Sequence, residues 1–243
     1  MSDAIDVSEQ GPVRGGTVDY VVHHLREGIL QGRYAPGQRL IEADLTQELG
    51  ISRGPLREAL RRLSADNLLE IVPNRGAIVR RLSMREMLEL FAIRIALESH
   101  AAREATLAMA DPAVRARFET GIRPIWAKAK RIPGPDYIAE NKAFHQSLIG
   151  ATGNERLLAL TTQMQLPLIM FQLNGMLTDA NIAASVIEHR AIATAMLDGD
   201  AEAAAAHARA HLERARDVAR DMPTKVFHGS NGATAARAST RGH

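Results

Sequence analysis

The sequence predicts a mainly α-helical chain in two parts, a small amino-terminal domain of three helices and one β-hairpin followed by an all-α bundle of about six helices. Three observations carry this. Apolar residues recur at spacings of three and four almost throughout, the signature of helices with one buried stripe. Only Leu68 to Arg80 departs from it: two short apolar runs flank Pro73-Asn74-Arg75-Gly76, which reads as a hairpin. Directly afterwards, Ser83-Met84-Arg85-Glu86 has the S-x-x-E spacing of a capping box and marks a fresh helix start. A length of 243 residues also exceeds one typical domain. The expected division is a polar tail over 1–16, a first domain over 17–82, a second over 83–222 and a tail over 223–243.

In the first domain, Val18, Val21, Val22, Leu25, Ile29 and Leu30 form one helical stripe, which Gly32 and Ala35-Pro36-Gly37 terminate. A short helix from about Glu42 to Leu49 ends at Gly50. After Ile51 the next begins at Ser52 as N-cap, with Pro55 in its first turn, where the amides lack intrahelical acceptors anyway. On that helix Arg53, Arg57 and Arg61 share one face, while Leu56, Ala59, Leu60 and Leu63 define the opposite one. Three arginines on an isolated helix would read as a solvated face. Here a short helix, a glycine turn, an arginine-faced helix and a basic-tipped hairpin follow in order, the arrangement of a winged helix-turn-helix whose second helix enters the major groove. Arginine's planar fork bonds guanine O6 and N7 together and also clamps phosphates. Gly76 would let the hairpin tip approach the sugar-phosphate backbone closely, and Arg75 would follow the minor groove.

The second domain is expected to hold helices over about Met84 to Ala110, one opened by Asp111-Pro112, then Asp136 to Ile149, Glu155 to Asn174 with a kink at Pro167, Asp179 to Leu197, and Ala201 to Asp221. Asn141 and His145, four apart, project from one helical face, while His189 and His211 lie on two further helices. Imidazoles from three helices can converge inside a bundle on a divalent metal, although any one of them alone reads as a surface or hydrogen-bonded core residue. Arg94 sits among apolar neighbours, so it must be paired, with Glu98 as the near candidate, or face a cavity. Arg103, Arg190 and Arg209 read as solvated.

The formal net charge of +2 says little about partners, so a DNA surface must be argued from local clustering. The absence of cysteine excludes disulfides, thiol catalysis and cysteine-bound zinc, and fits a reducing cytoplasm. No run approaches 18 apolar residues and residues 1–16 lack the pattern of a signal peptide, so neither membrane nor export is expected. A histidine-metal hydrolase or lyase is the alternative function. It would require an open metal position and a general base, yet no H-E-x-x-H spacing is present.

The stretch from Arg39 to Leu45 and that from Leu49 to Leu63, Leu-Gly-Ile-Ser-Arg-Gly-Pro-Leu-Arg-Glu-Ala-Leu-Arg-Arg-Leu, resemble the winged helix-turn-helix of the GntR family of transcription regulators. The resemblance spans roughly Thr17 to Arg81 and implies that Ser52, Arg53 and Arg57 contact double-stranded operator DNA with Gly76 in the wing. It departs at Ala43, where some members carry a basic residue. Ser185 to Ile192, the Leu197-Asp198-Gly199-Asp200 turn, Ala208 to Leu212 and Phe144-His145 resemble the FCD effector domain of the FadR subgroup. That implies a divalent metal, zinc first with nickel or manganese as alternatives, on Asn141, His145, His189 and His211. It also implies that Arg94 faces a small organic acid effector beside the metal. Asn141 stands where many members have Asp. His207 stands where members have an apolar residue and is read as bystander. The expected protein is a homodimeric regulator, a repressor relieved by its acid.

Overall fold

The computed structural model describes residues 14–127, 130–163, 177–223 and 227. Most of the two expected tails, and the second half of the helix expected over 155–174 with its kink at Pro167, lie outside the described residues. The chain forms two compact units, Met1–Arg80 and Arg81–His243.

The first unit runs α1 (Arg14–Leu30), β1 (Arg39–Leu40), α2 (Glu42–Leu49), α3 (Arg53–Ala65), β2 (Leu69–Val72) and β3 (Gly76–Val79). Helix α1 begins three residues before the expected Thr17. Its stripe buries Val21, Leu25 and Ile29 completely, against Leu56, Ala59, Leu60 and Leu63 of α3. Gly50 closes α2 in the left-handed conformation, φ 62°, donating to Thr46 O, a backbone that any residue with a Cβ adopts at a cost. Ser52 occupies the N-cap position of α3 with extended backbone, but its hydroxyl makes no capping bond. The hairpin is present, and β1 adds an unanticipated third strand to give the antiparallel order β1-β3-β2. Leu40 faces Ala77, and Ile71 faces Ala77 from the other side. At the tip, Arg75 N donates to Val72 O at 3.0 Å, and Asn74 and Gly76 both take positive φ.

The second unit runs α4 (Met84–Ala108), α5 (Pro112–Ile122), a 3₁₀ turn (Arg123–Trp126), α6 (Pro135–Gly150), α7 (Glu155–Gln163), α8 (Asp179–Leu197) and α9 (Ala201–Arg220). The capping box expected at Ser83 forms: its hydroxyl accepts from Glu86 N at 3.2 Å and Ser83 N donates to the Glu86 carboxylate at 2.8 Å. Asp111 and Asp200 cap α5 and α9, and Thr178 with Asn181 caps α8 reciprocally. Alanines do much of the packing. Ala101, Ala102 and Ala105 of α4 and Ala204 and Ala208 of α9 let the helices approach closely around Phe118, Phe144, Leu148, Ile192 and Met196. A smaller cluster of Leu82, Met87, Phe91, Ala219, Met222 and Phe227 closes the other end. Among the described residues no helix is long and apolar enough to cross a membrane.

Candidate functional site

In the first unit the amphipathic division of α3 places Arg53, Arg57 and Arg61 on the exposed side, the side chains of Arg57 and Arg61 being 57% and 71% exposed. Arg57 is aimed by Glu42 at the start of α2, which accepts from its Nε at 3.0 Å. An exposed pair of this kind contributes at most about 1 kcal/mol, so a phosphate or a base edge would displace it at little cost. Arg61 lies 3.7 Å from Glu58. Arg62, on the flank, is used differently: it bonds Asp19 of α1 at 2.8 Å and so ties α3 to its neighbour. Ser52 and Arg75 are exposed, and half-buried Gly76 follows Arg75 at the hairpin tip. An Arg57→Ala protein is expected to lose about 1–3 kcal/mol of binding to its preferred duplex and far less to random duplex, measured by fluorescence anisotropy. Equal losses on both would exclude base reading by this residue.

In the second unit three helices supply one polar cluster inside an apolar bundle. Asn141 and His145 come from α6, His189 from α8 and His211 from α9, all of them buried. The three histidines offer ligand nitrogens within 4.8 Å of one another, and His189 Nε2 is 3.3 Å from His211 Nε2. Two nitrogens on one ion at 2.0–2.1 Å stand roughly 2.8–3.4 Å apart at octahedral or tetrahedral angles, so the spacing suits a metal. Phe144 stacks on the His189 ring at 4.0 Å and holds its plane.

Carboxylates behind the rings set their tautomers. His145 Nδ1 donates to Glu98 Oε2 at 2.6 Å, and His211 Nδ1 donates to Glu188 Oε2 at 2.7 Å. A carboxylate can only accept, so each ring carries hydrogen on Nδ1 and, when neutral, presents a bare Nε2 to a ligand. Each carboxylate is in turn held by an arginine: Glu98 Oε1 accepts from Arg94 Nε at 2.7 Å, and Glu188 is bridged by Arg214 Nε and Nη2. Arg94 thus makes the ion pair with Glu98 and also lines the cavity beside Asn141, His145 and His211. That cavity is about 40 Å³. Asn141 Nδ2 is buried with no hydrogen-bond partner, a cost of about 1–3 kcal/mol unless something occupies the site. Amide oxygen and nitrogen exchange places on a half turn, so Asn141 can present Oδ1 to a cation. The donor set therefore fits a divalent metal.

Burial, then the neighbouring histidines, hold His189 well below the ordinary imidazole range. Burial pushes His211 down to about 4, against the opposing pull of Glu188. Burial would raise the Glu98 carboxyl, but Arg94 and His145 outweigh it and hold it far below the carboxylate range. Between about pH 6.5 and 4 the unfolded chain therefore binds more protons at these histidines than the folded one. In the presence of a chelator, thermal stability is expected to fall as pH drops through that window, with Glu98 adding to the loss below it. A melting temperature flat from pH 7 to 4.5 would contradict the burial of neutral rings.

Sequence reasoning missed Glu188, Arg214, Tyr137, Asn181 and Ser185. Four of the five follow a visible signal: Tyr137 lies four before Asn141, Asn181 and Ser185 lie eight and four before His189, and Arg214 lies three after His211. Tyr137, Asn181, Ser185 and Arg214 all line the cavity. Arg190, expected in solvent, instead donates to Ile125 O at 2.7 Å and Ala127 O at 3.1 Å and pins the 3₁₀ turn. Arg103 pairs on the surface with Glu104 and Glu202.

Residues 17–79 match the family described as bacterial regulatory proteins, gntR family, and residues 89–214 match the FCD domain. The chain is 31% identical to the HTH-type transcriptional regulator BphR of Paraburkholderia xenovorans, over 84% of this chain and 86% of that one. It is 27% identical to the HTH-type transcriptional repressor GlaR of Escherichia coli, over 58% and 65% respectively. Among solved structures, the fold is similar to that of a transcriptional regulator GntR from Rhodococcus sp. RHA1, with TM-score 0.72 and 23% identity, covering 85% of this chain and 99% of that one. These similar proteins are transcription regulators, not enzymes.

Proposed function

The chain belongs to the bacterial regulatory proteins of the gntR family and carries an FCD domain, and from that premise we propose that a small carboxylic acid, bound beside a divalent metal in the second unit, modulates its grip on operator DNA. The observation that carries this reading is the convergence of three buried histidine nitrogens within 4.8 Å, two of them on carboxylate-held rings. A bundle core gains nothing in stability from such a cluster. The buried polar groups require partners that apolar side chains would not.

The metal, held by His145, His189, His211 and Asn141, would supply a Lewis-acidic centre for a carboxylate. Arg94 adds a guanidinium from α4, and a cavity of about 40 Å³ calls for a small acid. On DNA the protein acts as a homodimer on a pseudo-palindrome with half-sites about one helical turn apart, Ser52, Arg53, Arg57 and Arg61 entering the major groove, Gly76 lying close to the backbone and Arg75 following the minor groove. The acid can act only through different affinities for DNA-competent and incompetent arrangements, and the sense proposed is repression relieved by acid.

The test is a melting screen of small organic acids on protein carrying stoichiometric zinc. An acid at 100 times its Kd stabilises by about 2.7 kcal/mol. An Arg94→Gln protein matched for metal content is expected to lose that shift, and a shift of unchanged size would contradict the role assigned to Arg94.

A further inference from the structure

We infer that the effector is a dianion, a short dicarboxylate rather than a monocarboxylate, because the polar shell around the metal site is electrically neutral before the ion's own charge is counted. This rests on the acid-and-metal reading above and narrows it.

The charges close in pairs. Arg94 is matched by Glu98, with 2.7 Å between Nε and Oε1, and Arg214 is matched by Glu188. Each carboxylate also accepts from a histidine Nδ1, Glu98 through its second oxygen and Glu188 through the oxygen it shares with Arg214 Nη2. The ligand set adds no charge, since imidazole ligates in its neutral form and Asn141 is an amide. A divalent ion therefore brings two positive charges that no side chain in contact with it offsets.

The cavity wall reinforces this. Among the described residues it contains two guanidinium groups, Arg94 from α4 and Arg214 from α9, and no Asp or Glu. Uncompensated charge beside buried ligands is costly, so the occupant that balances the site carries two negative charges. A monocarboxylate leaves one positive charge unmatched. Each arginine has guanidinium N–H groups beyond those it gives to its carboxylate, and the two stand on different helices, one for each end of a dicarboxylate, with Tyr137, Asn181 and Ser185 as neutral hydrogen-bonding neighbours. Asn141 is then the residue that sets the preference, because an acid in its place would cancel one of the two charges.

The experiment compares malonate with propionate, succinate with butyrate and glutarate with valerate, by calorimetry on zinc-loaded, dialysed protein. In at least one pair the dianion is expected to bind at least tenfold more tightly. That ratio is expected to fall severalfold in an Asn141→Asp protein of equal zinc content, through weaker diacid binding, and to fall likewise in wild-type protein stripped with chelator. The stripped arm needs no variant to fold. Equal binding within every pair, or a ratio unmoved both by Asn141→Asp and by stripping, would overturn the dianion while leaving an acid effector standing. Binding of neither series would contradict the acid effector itself.

Discussion

A Glu98→Ala protein is expected to lose about 3–5 kcal/mol of stability, the cost of leaving a buried charge without its partner. Glu98 is the hub of the cluster. One oxygen holds Arg94 Nε at 2.7 Å and the other holds His145 Nδ1 at 2.6 Å, and all three residues are buried. Truncation leaves the Arg94 guanidinium in an apolar bundle between α4 and α6 and releases the His145 ring. For a unit of this size the loss lowers the melting temperature by on the order of 10 °C. Metal affinity is expected to fall as well, by roughly 10–100-fold, because the carboxylate behind a ligating ring sets its tautomer and orientation. Glu98→Gln keeps the shape and should be the milder of the two. Differential scanning calorimetry and elemental analysis measure both effects. A variant as stable as the parent would show that Arg94 does not depend on this carboxylate.

A His189→Ala protein is expected to lose most of its bound divalent metal, more than the 10–100-fold that loss of a supporting residue costs. His189 lies 3.3 Å from His211, and among the described residues it has no carboxylate partner of the kind that holds His145 and His211. Its removal leaves two imidazoles and an amide, too few for a closed site. Stability without metal should change much less, since the ring's main apolar contact is its stack on Phe144. Metal content by elemental analysis after dialysis against dilute zinc checks this. Unchanged content would move the site away from His189.

Much of the architecture was legible because punctuation and periodicity agreed. Ser83 with Glu86, Asp111 before Pro112, and Gly50 each start or stop a helix where the structure does. Strand β1 was not legible, since two residues make no pattern and Arg39 and Leu40 become a strand only by pairing with Ile78 and Ala77. In the histidine cluster, the step of four from Asn141 to His145 showed a shared face, but the partners of the rings lie on other helices. Glu188 precedes His189 in sequence yet serves His211, 23 positions away. No spacing rule reaches across α8 and α9 to find that contact. Tyr137 and Ser185 could have been read, each being a polar residue one helical turn before a proposed ligand on a face that otherwise turns inward.

The central claim joins the two units: an acid at the metal site changes affinity for DNA. The most direct test selects duplexes from a random pool on zinc-loaded protein and measures affinity for the winner with and without the acid found in the melting screen, at fixed salt. The account predicts enrichment of an inverted repeat and a drop in affinity of at least fivefold on adding the acid. No enriched sequence, or an affinity for the selected duplex that ignores the acid, would contradict it.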